Sequence, residues 1–208
     1  GAVEIFNEGT PVSRSNSRFN EAGWDWNRLP GTTTIHLPLN LLESPVTSTL
    51  MARSKEDFAG ASSLLGEFGV FGMKLREENL INNTNYTRDF RARKSVFAFG
   101  KRLVCIGTGI SNSNVNYTTE TTLYQQTINT TADRMSVNGT FYDATGYSFD
   151  TQTPVNTTVV SDLSGNYYRV ASQSRIIMEG KEQVSKHNKT RAETKGNFLT
   201  ARIDHGKN

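Results

Sequence analysis

Polar and apolar residues alternate along this chain in short runs, each closed by Gly, Asn, Asp or Pro, and Val, Ile, Thr, Tyr and Phe supply most of the apolar positions. A period of two bounded by turn residues predicts β-strands rather than helices. The clearest hairpin joins residues 95–99 to 102–106 through Gly100-Lys101, where a glycine in the first of two loop positions predicts a type II′ turn. A second joins residues 135–137 to 140–142 through Asn138-Gly139, the pair that type I′ turns favour. Further strands are predicted at 3–6, 32–37, 68–75, 119–128, 155–160, 167–171, 175–179 and 198–203. Roughly a dozen strands are too many for one flat sheet. The predicted fold is therefore all-β, a large antiparallel β-sandwich. Only residues 41–43 and 54–58 suggest short helical turns.

Against this background one tract stands apart, Gly23-Trp24-Asp25-Trp26-Asn27-Arg28-Leu29-Pro30-Gly31 and the threonines after it, which holds both tryptophans of the chain. On an extended backbone Trp24 and Trp26 project to one face and Asp25 to the other. Two readings follow. The paired indoles can form a platform for the apolar face of a sugar ring, with Asn27 and Arg28 hydrogen-bonding its hydroxyls, carboxylates or sulfates. Alternatively they are core anchors, the usual fate of tryptophan. Pro30-Gly31 fits a type II turn, and Thr32 to Thr34 begin a strand.

Composition narrows the partners. A chain of 208 residues with 35% hydrophobic content suits one domain or a large part of one. No apolar run approaches the roughly 18 residues of a spanning helix, so no membrane partner is expected, and no charged-then-apolar leader opens the sequence, so any secretion signal is expected to have been removed or to lie elsewhere. The single cysteine, Cys105, excludes an intrachain disulfide and a cysteine metal cluster; in Leu103-Val104-Cys105-Ile106 it reads as a small buried hydrophobe. With 23 basic and 20 acidic residues the net charge of +3 is far from a nucleic-acid binder's excess, but it leaves an anionic polysaccharide open as a partner. The basic groups around residues 88–94 and 181–195 read as solvated loops and strand edges. Seven Asn-x-Ser/Thr matches, at Asn82, Asn85, Asn116, Asn129, Asn138, Asn156 and Asn188, read as turn and surface chemistry.

Catalytic patterns are scarce. His36, His187 and His205 are scattered and form no metal-ligand spacing, and no nucleophile elbow or phosphate loop occurs. His36, inside Ile35-His36-Leu37, reads as a structural histidine rather than a base. Glu67 and Glu120 sit in the most distinctive settings for carboxylates, each without a partner visible in the sequence. No cofactor is evident. A structural calcium at Asp25 is conceivable, but a single carboxylate is far from the six to eight oxygens calcium takes.

The tract of residues 23–33, followed by Ile35-His36-Leu37-Pro38, resembles the central β-domain of polysaccharide lyase family 8, the hyaluronate, xanthan and chondroitin lyases; its Gly-Trp-Asp-Trp-Asn-Arg form is most similar to that of chondroitin sulfate ABC lyases. Later segments agree in order: Arg93-Lys94-Ser95-Val96; Ile106-Gly107-Thr108-Gly109-Ile110 with Glu120-Thr121-Thr122; then Gly196-Asn197-Phe198 and Ile203-Asp204-His205-Gly206. The resemblance spans residues 23–206. It implies a secreted or periplasmic bacterial enzyme that cuts glycosaminoglycans by β-elimination at uronic acid, removing the C5 proton while the developing enediolate is stabilised.

In the family a Tyr, a His and an Arg come from an α-helical toroid preceding the β-region, and in the chondroitin lyases a Glu comes from a segment resembling Ser-Ser-Leu-Glu-Gly. Here Ser62-Ser63-Leu64-Leu65-Gly66 carries Leu65 at that position, with Glu67 two residues on. No catalytic residue is therefore assigned within the chain. The expectation is one incomplete central β-sandwich domain over residues 1–208, partnered by a helical catalytic domain of the same parent and inactive alone. Trp24, Trp26, Asn27 and Arg28 are the candidate sugar contacts. A free-standing carbohydrate-binding module and a purely structural sandwich are the alternatives.

Overall fold

The structure, a computed structural model, describes residues 14–42, 54, 56–77, 89–152, 157–171 and 174–207. The predicted strand at 3–6 lies outside them. The chain divides into two compact units, residues 1–39 with 120–205, and residues 40–119 with 206–208.

The first unit is an antiparallel sandwich. Strands β1 (Thr33–Ile35), β6 (Thr119–Thr127), β13 (Glu193–Asp204), β12 (Arg175–Lys186) and β9 (Ser148–Asp150) form a five-stranded sheet in that order. Strands β11 (Tyr167–Val170), β10 (Thr158–Ser161), β7 (Arg134–Val137) and β8 (Thr140–Asp143) form a four-stranded one. Alternate residues of each sheet fill the space between them: Tyr124, Met178, Leu199 and Ala201 from the first, Met135, Val137 and Val160 from the second. Burying this apolar area is the main stabilising term for the sandwich, at roughly 25 cal/mol per Å².

The second unit is a four-stranded antiparallel meander of β2 (Ala59–Leu64), β3 (Phe68–Arg76), β4 (Arg91–Phe99) and β5 (Arg102–Ser111). The registers Leu64↔Phe68, Phe68↔Phe99, Val70↔Phe97, Phe97↔Val104 and Ser95↔Ile106 place these apolar side chains on one face. That face is exposed within the unit.

Both predicted hairpin turns form. Gly100 alone of its pair has positive φ (55°), as a II′ turn requires, whereas Asn138 (φ 50°) and Gly139 (φ 86°) are both left-handed, as I′ requires. Several expectations need correction. Residues 54 and 56–58 are not helical, and the short helix near residue 41 is α1, Leu39–Leu42. Cys105 is exposed, because it lies on a strand of the open meander rather than in the sandwich. Lys94, read as a solvated cation, is buried, and burial pushes its ammonium below the usual range. Strand β2 escaped the pattern because Ala-Gly-Ala-Ser-Ser-Leu has no apolar alternation.

Candidate functional site: an ion chain on the outer face of the long sheet

The tract of residues 23–37 is not one extended strand; it turns between Ala22 and Thr32 and joins the sheet only at β1. It packs on the five-stranded sheet's outer face, opposite the sandwich core. An irregularity in β6 prepares that face. Ala201 pairs with Tyr124 but Arg202 with Thr122, leaving Leu123 as an extra residue. The bulge re-aims the strand, so Tyr124 enters the core while Glu120 and Gln125 both meet the tract.

Each tract residue then has a structural partner. Gly23, at φ 82°, lies so close to Gly196 that a Cβ on either would collide with backbone. Trp24 is 1% exposed, with its ring centroid 4.6 Å from that of Phe19 at a tilt of 51° and edge-on at 5.8 Å from Phe198. Trp26 is half-buried and donates its Nε1–H to the Lys186 carbonyl at 3.0 Å. Asn27 is buried and clamps Leu37, accepting its N–H at 2.9 Å and donating to its carbonyl at 2.8 Å. Gln125 donates to the carbonyls of Asp25 and Arg28 and accepts the Asp25 N–H at 3.0 Å. Gly31 and Thr32 exchange backbone hydrogen bonds with Thr122.

The charged residues form a continuous chain. His36 Nε2 lies 2.8 Å from Asp25 Oδ2, whose carboxylate also faces Arg28 Nη1 at 3.2 Å. Arg28 grips Glu120 bidentately at 2.9 and 3.1 Å. Glu120 Oε1 lies 3.2 Å from Arg202 Nε, off the hydrogen-bonding angle, and Arg202 Nη1 donates to Glu179 at 2.8 Å. Lys181 ends the chain on Glu179 at 2.6 Å. From Asp25 to Lys181 anions and cations alternate, so burial is offset by pairing rather than by shedding protons.

The electrostatics agree. Burial alone would raise the Asp25 carboxyl, but the His36 hydrogen bond and the charges of His36 and Arg28 outweigh it and hold it at about 2. Burial would lower Arg28, but Glu120 and then Asp25 raise it above its usual value. Glu179 is likewise held low, its burial outweighed by Lys181 and Arg202.

Sequence reasoning brought Trp24, Trp26, Asn27 and Arg28 together as candidate sugar contacts. The structure does bring them together, with Trp24 enclosed by aromatic rings and Asn27 and Arg28 engaged in buried contacts. Two tryptophans separated by one residue do not form a shared platform here, because turns replace the extended backbone that would align them. The Asp25 oxygens face N–H donors and cations, an environment that does not fit calcium, and no group of three or more potential metal ligands occurs among the described residues. Glu120 has the partners its sequence context did not disclose. Glu179, Arg202 and Gln125 were missed, since only strand pairing brings them to the tract. Leu65, at the position resembling the family's Glu, caps the β2–β3 hairpin at φ 56° and is 83% exposed.

The family segments of this unit that lie between residues 23 and 198 thus converge on one face. Gly23 meets Gly196, Trp24 meets Phe198 and Arg28 meets Glu120. Residues 17–208 match the family model described as polysaccharide lyase family 8, super-sandwich domain. A chondroitin sulfate ABC endolyase of Proteus vulgaris is 37% identical over 99% of this chain and 19% of its own length. Chondroitin sulfate ABC exolyases of Proteus vulgaris and Bacteroides thetaiotaomicron are each 34% identical over the whole chain, covering 20% and 19% of their lengths. The chain spans about a fifth of these relatives. It belongs to polysaccharide lyase family 8, as a super-sandwich domain.

Proposed function

We propose that this chain is the scaffolding β-domain of a secreted or periplasmic bacterial lyase that cleaves chondroitin and dermatan sulfate by β-elimination at uronic acid. The observation that carries this reading is the closed ion chain from His36 to Lys181. The tract that identifies the family uses Arg28 to fasten itself to Glu120 of β6, from which Arg202 of β13 and Glu179 of β12 continue the chain, while Asp25 and Asn27 hold His36 and Leu37 within the tract, so these groups are engaged rather than presented. In the whole enzyme the base that takes the C5 proton, and the acid that assists the leaving oxygen, are assigned to a helical domain of the same polypeptide. The β-domain holds the substrate-bearing surfaces in register with it.

The test compares the isolated 208-residue chain with its full-length parent on chondroitin sulfate, following the ultraviolet absorbance of the unsaturated uronide. The parent is expected to turn over and the chain to give no absorbance change. Turnover by the chain alone would overturn the scaffolding role, and an inactive, folded parent would overturn the lyase assignment.

A further inference from the structure

Arg91 and Arg93, read from the sequence as loop or edge cations, lie instead on β4, an interior strand of the meander. Charge on a sheet usually guards its edges. The register Lys74↔Arg93 sets a lysine directly opposite an arginine, and Arg93↔Thr108 continues the row onto β5. Phe58 completes the row at its other end, its carbonyl accepting the Lys74 N–H at 3.1 Å one residue before the Ala59↔Met73 pair. Strand alternation turns Lys74, Arg93 and Thr108 to one face. The Phe58 ring lies on that face too, 3.6 Å from where a Cβ on Gly72 would stand and 6.0 Å from Lys74 Nζ.

All four members of the row are exposed, Phe58 by 54%. Arg91, exposed two residues from Arg93, adds a third cation to the same face, while Ala92 and Lys94 on the other side of β4 are buried. Elsewhere in the chain exposed arginines have carboxylates: Arg134 has Asp143, and Arg175 has Asp150 and Asp204. Among the described residues no carboxylate pairs with Lys74, Arg91 or Arg93. Like charges directly opposite one another destabilise a strand pair. An anion bound between them turns that repulsion into attraction.

We infer that this row is a binding site for an anionic polysaccharide: Phe58 stacks on a sugar ring, Arg93, Lys74 and Arg91 receive carboxylate or sulfate groups, and Thr108 bonds a hydroxyl. Three interstrand steps carry the row about 14 Å from Phe58 to Thr108. That is wider than one ring and calls for a chain of sugars. A polypeptide suits the other half of the face, where Phe68, Val70, Phe97 and Val104 are apolar; over the row it would strip water from unpaired cations. A nucleic acid also takes cations and stacking rings, but one ring is no platform for successive bases, and a net charge of +3 is far from a nucleic-acid binder's excess.

That the polysaccharide is a glycosaminoglycan rests on the proposed function, and the experiment separates the two. Titration calorimetry measures binding of chondroitin sulfate, dextran and a single-stranded oligodeoxynucleotide to the 208-residue chain, as wild type and as Arg93→Ala, Lys74→Ala, Phe58→Ala and Lys189→Ala. Lys189 is an exposed cation of the other unit, so its removal controls for net charge. Thermal melts check that each variant keeps its fold. Chondroitin sulfate is expected to bind the wild type and dextran not to. Arg93→Ala and Lys74→Ala should each weaken binding by roughly three- to tenfold, with a shallower dependence on salt. Phe58→Ala should weaken it by roughly two- to tenfold with the salt dependence unchanged, and Lys189→Ala should leave it as it was.

Equal affinity of the wild type and the three row variants would overturn the site, as would a loss in Lys189→Ala equal to that in Arg93→Ala. A wild type that chondroitin sulfate does not bind would also overturn it, and leave the lyase assignment to the turnover assay of the parent. An oligonucleotide bound more tightly than chondroitin sulfate, and lost in Arg93→Ala, would overturn the polysaccharide as ligand. Chondroitin sulfate binding that falls in Arg93→Ala would uphold the site even beside an inactive parent.

Discussion

Asp25 shows how a single residue can look like a ligand group and serve as a fastener. Its carboxyl is held at about 2 in the folded chain, below the ordinary value of 3.8. A lowered carboxyl contributes stability that is present above the unfolded value and lost as pH falls through the folded one. The contribution is about 2 kcal/mol, present above pH 4 and lost between about pH 4 and 2. Asp25→Asn should therefore lower stability at neutral pH by that amount and flatten the acid limb of a denaturation-versus-pH curve in that window. Leu65 is the opposite case, a residue that costs stability. A Leu at φ 56° is strained, and it is exposed at a hairpin tip. Asn tolerates this conformation, so Leu65→Asn should raise the midpoint of thermal unfolding, by about 1 kcal/mol in stability. The identity of the tract residues was plain in the sequence. Their use was not, because Gly196, Phe198, Glu120 and Arg202 reach them only through strand pairing.

At the scale of elements, turn chemistry and alternation made most strands legible. Gly100-Lys101 and Asn138-Gly139 specified their hairpins by backbone conformation alone, which needs no distant partner. The ends of β12 and β13 did not read as strand, because residues 181–186 and 193–197 are rich in charge. Twelve consecutive pairings, from Arg175↔Asp204 to Lys186↔Glu193, nevertheless carry both strands through. Gly180, midway along β12, shows what such a strand demands. It exchanges backbone hydrogen bonds with Tyr147 and Gly146, and a Cβ there would collide with the Ala144 carbonyl. Gly180→Ala should cost about 3 kcal/mol, measured by urea denaturation. The β6 bulge was invisible in the sequence, since an extra residue shows only against its partner strand. Without it Glu120 would face the core with Tyr124, and Arg28 would lose its carboxylate.

For the molecule as a whole, fold class and family were legible, and the division into two units was not. The first unit encloses its apolar residues between two sheets. The second leaves Leu64, Phe68, Val70, Phe97, Val104 and Ile106 on an open face of its meander. Exposed apolar area on this scale binds hydrophobic dyes. The folded chain should therefore enhance anilinonaphthalene sulfonate fluorescence, and Phe97→Ser should reduce the signal while leaving the sandwich's melting unchanged.

The central claim is that the family tract secures the scaffold from within, and Arg28 is the charge that joins Asp25 of the tract to Glu120 of β6. Removing one member of a buried ion pair leaves the other uncompensated and costs about 3 kcal/mol. The decisive measurement is urea denaturation of Arg28→Ala at neutral pH. The predicted result is a midpoint lowered by that free energy with an unchanged slope, whereas a midpoint equal to that of the wild type would contradict the account.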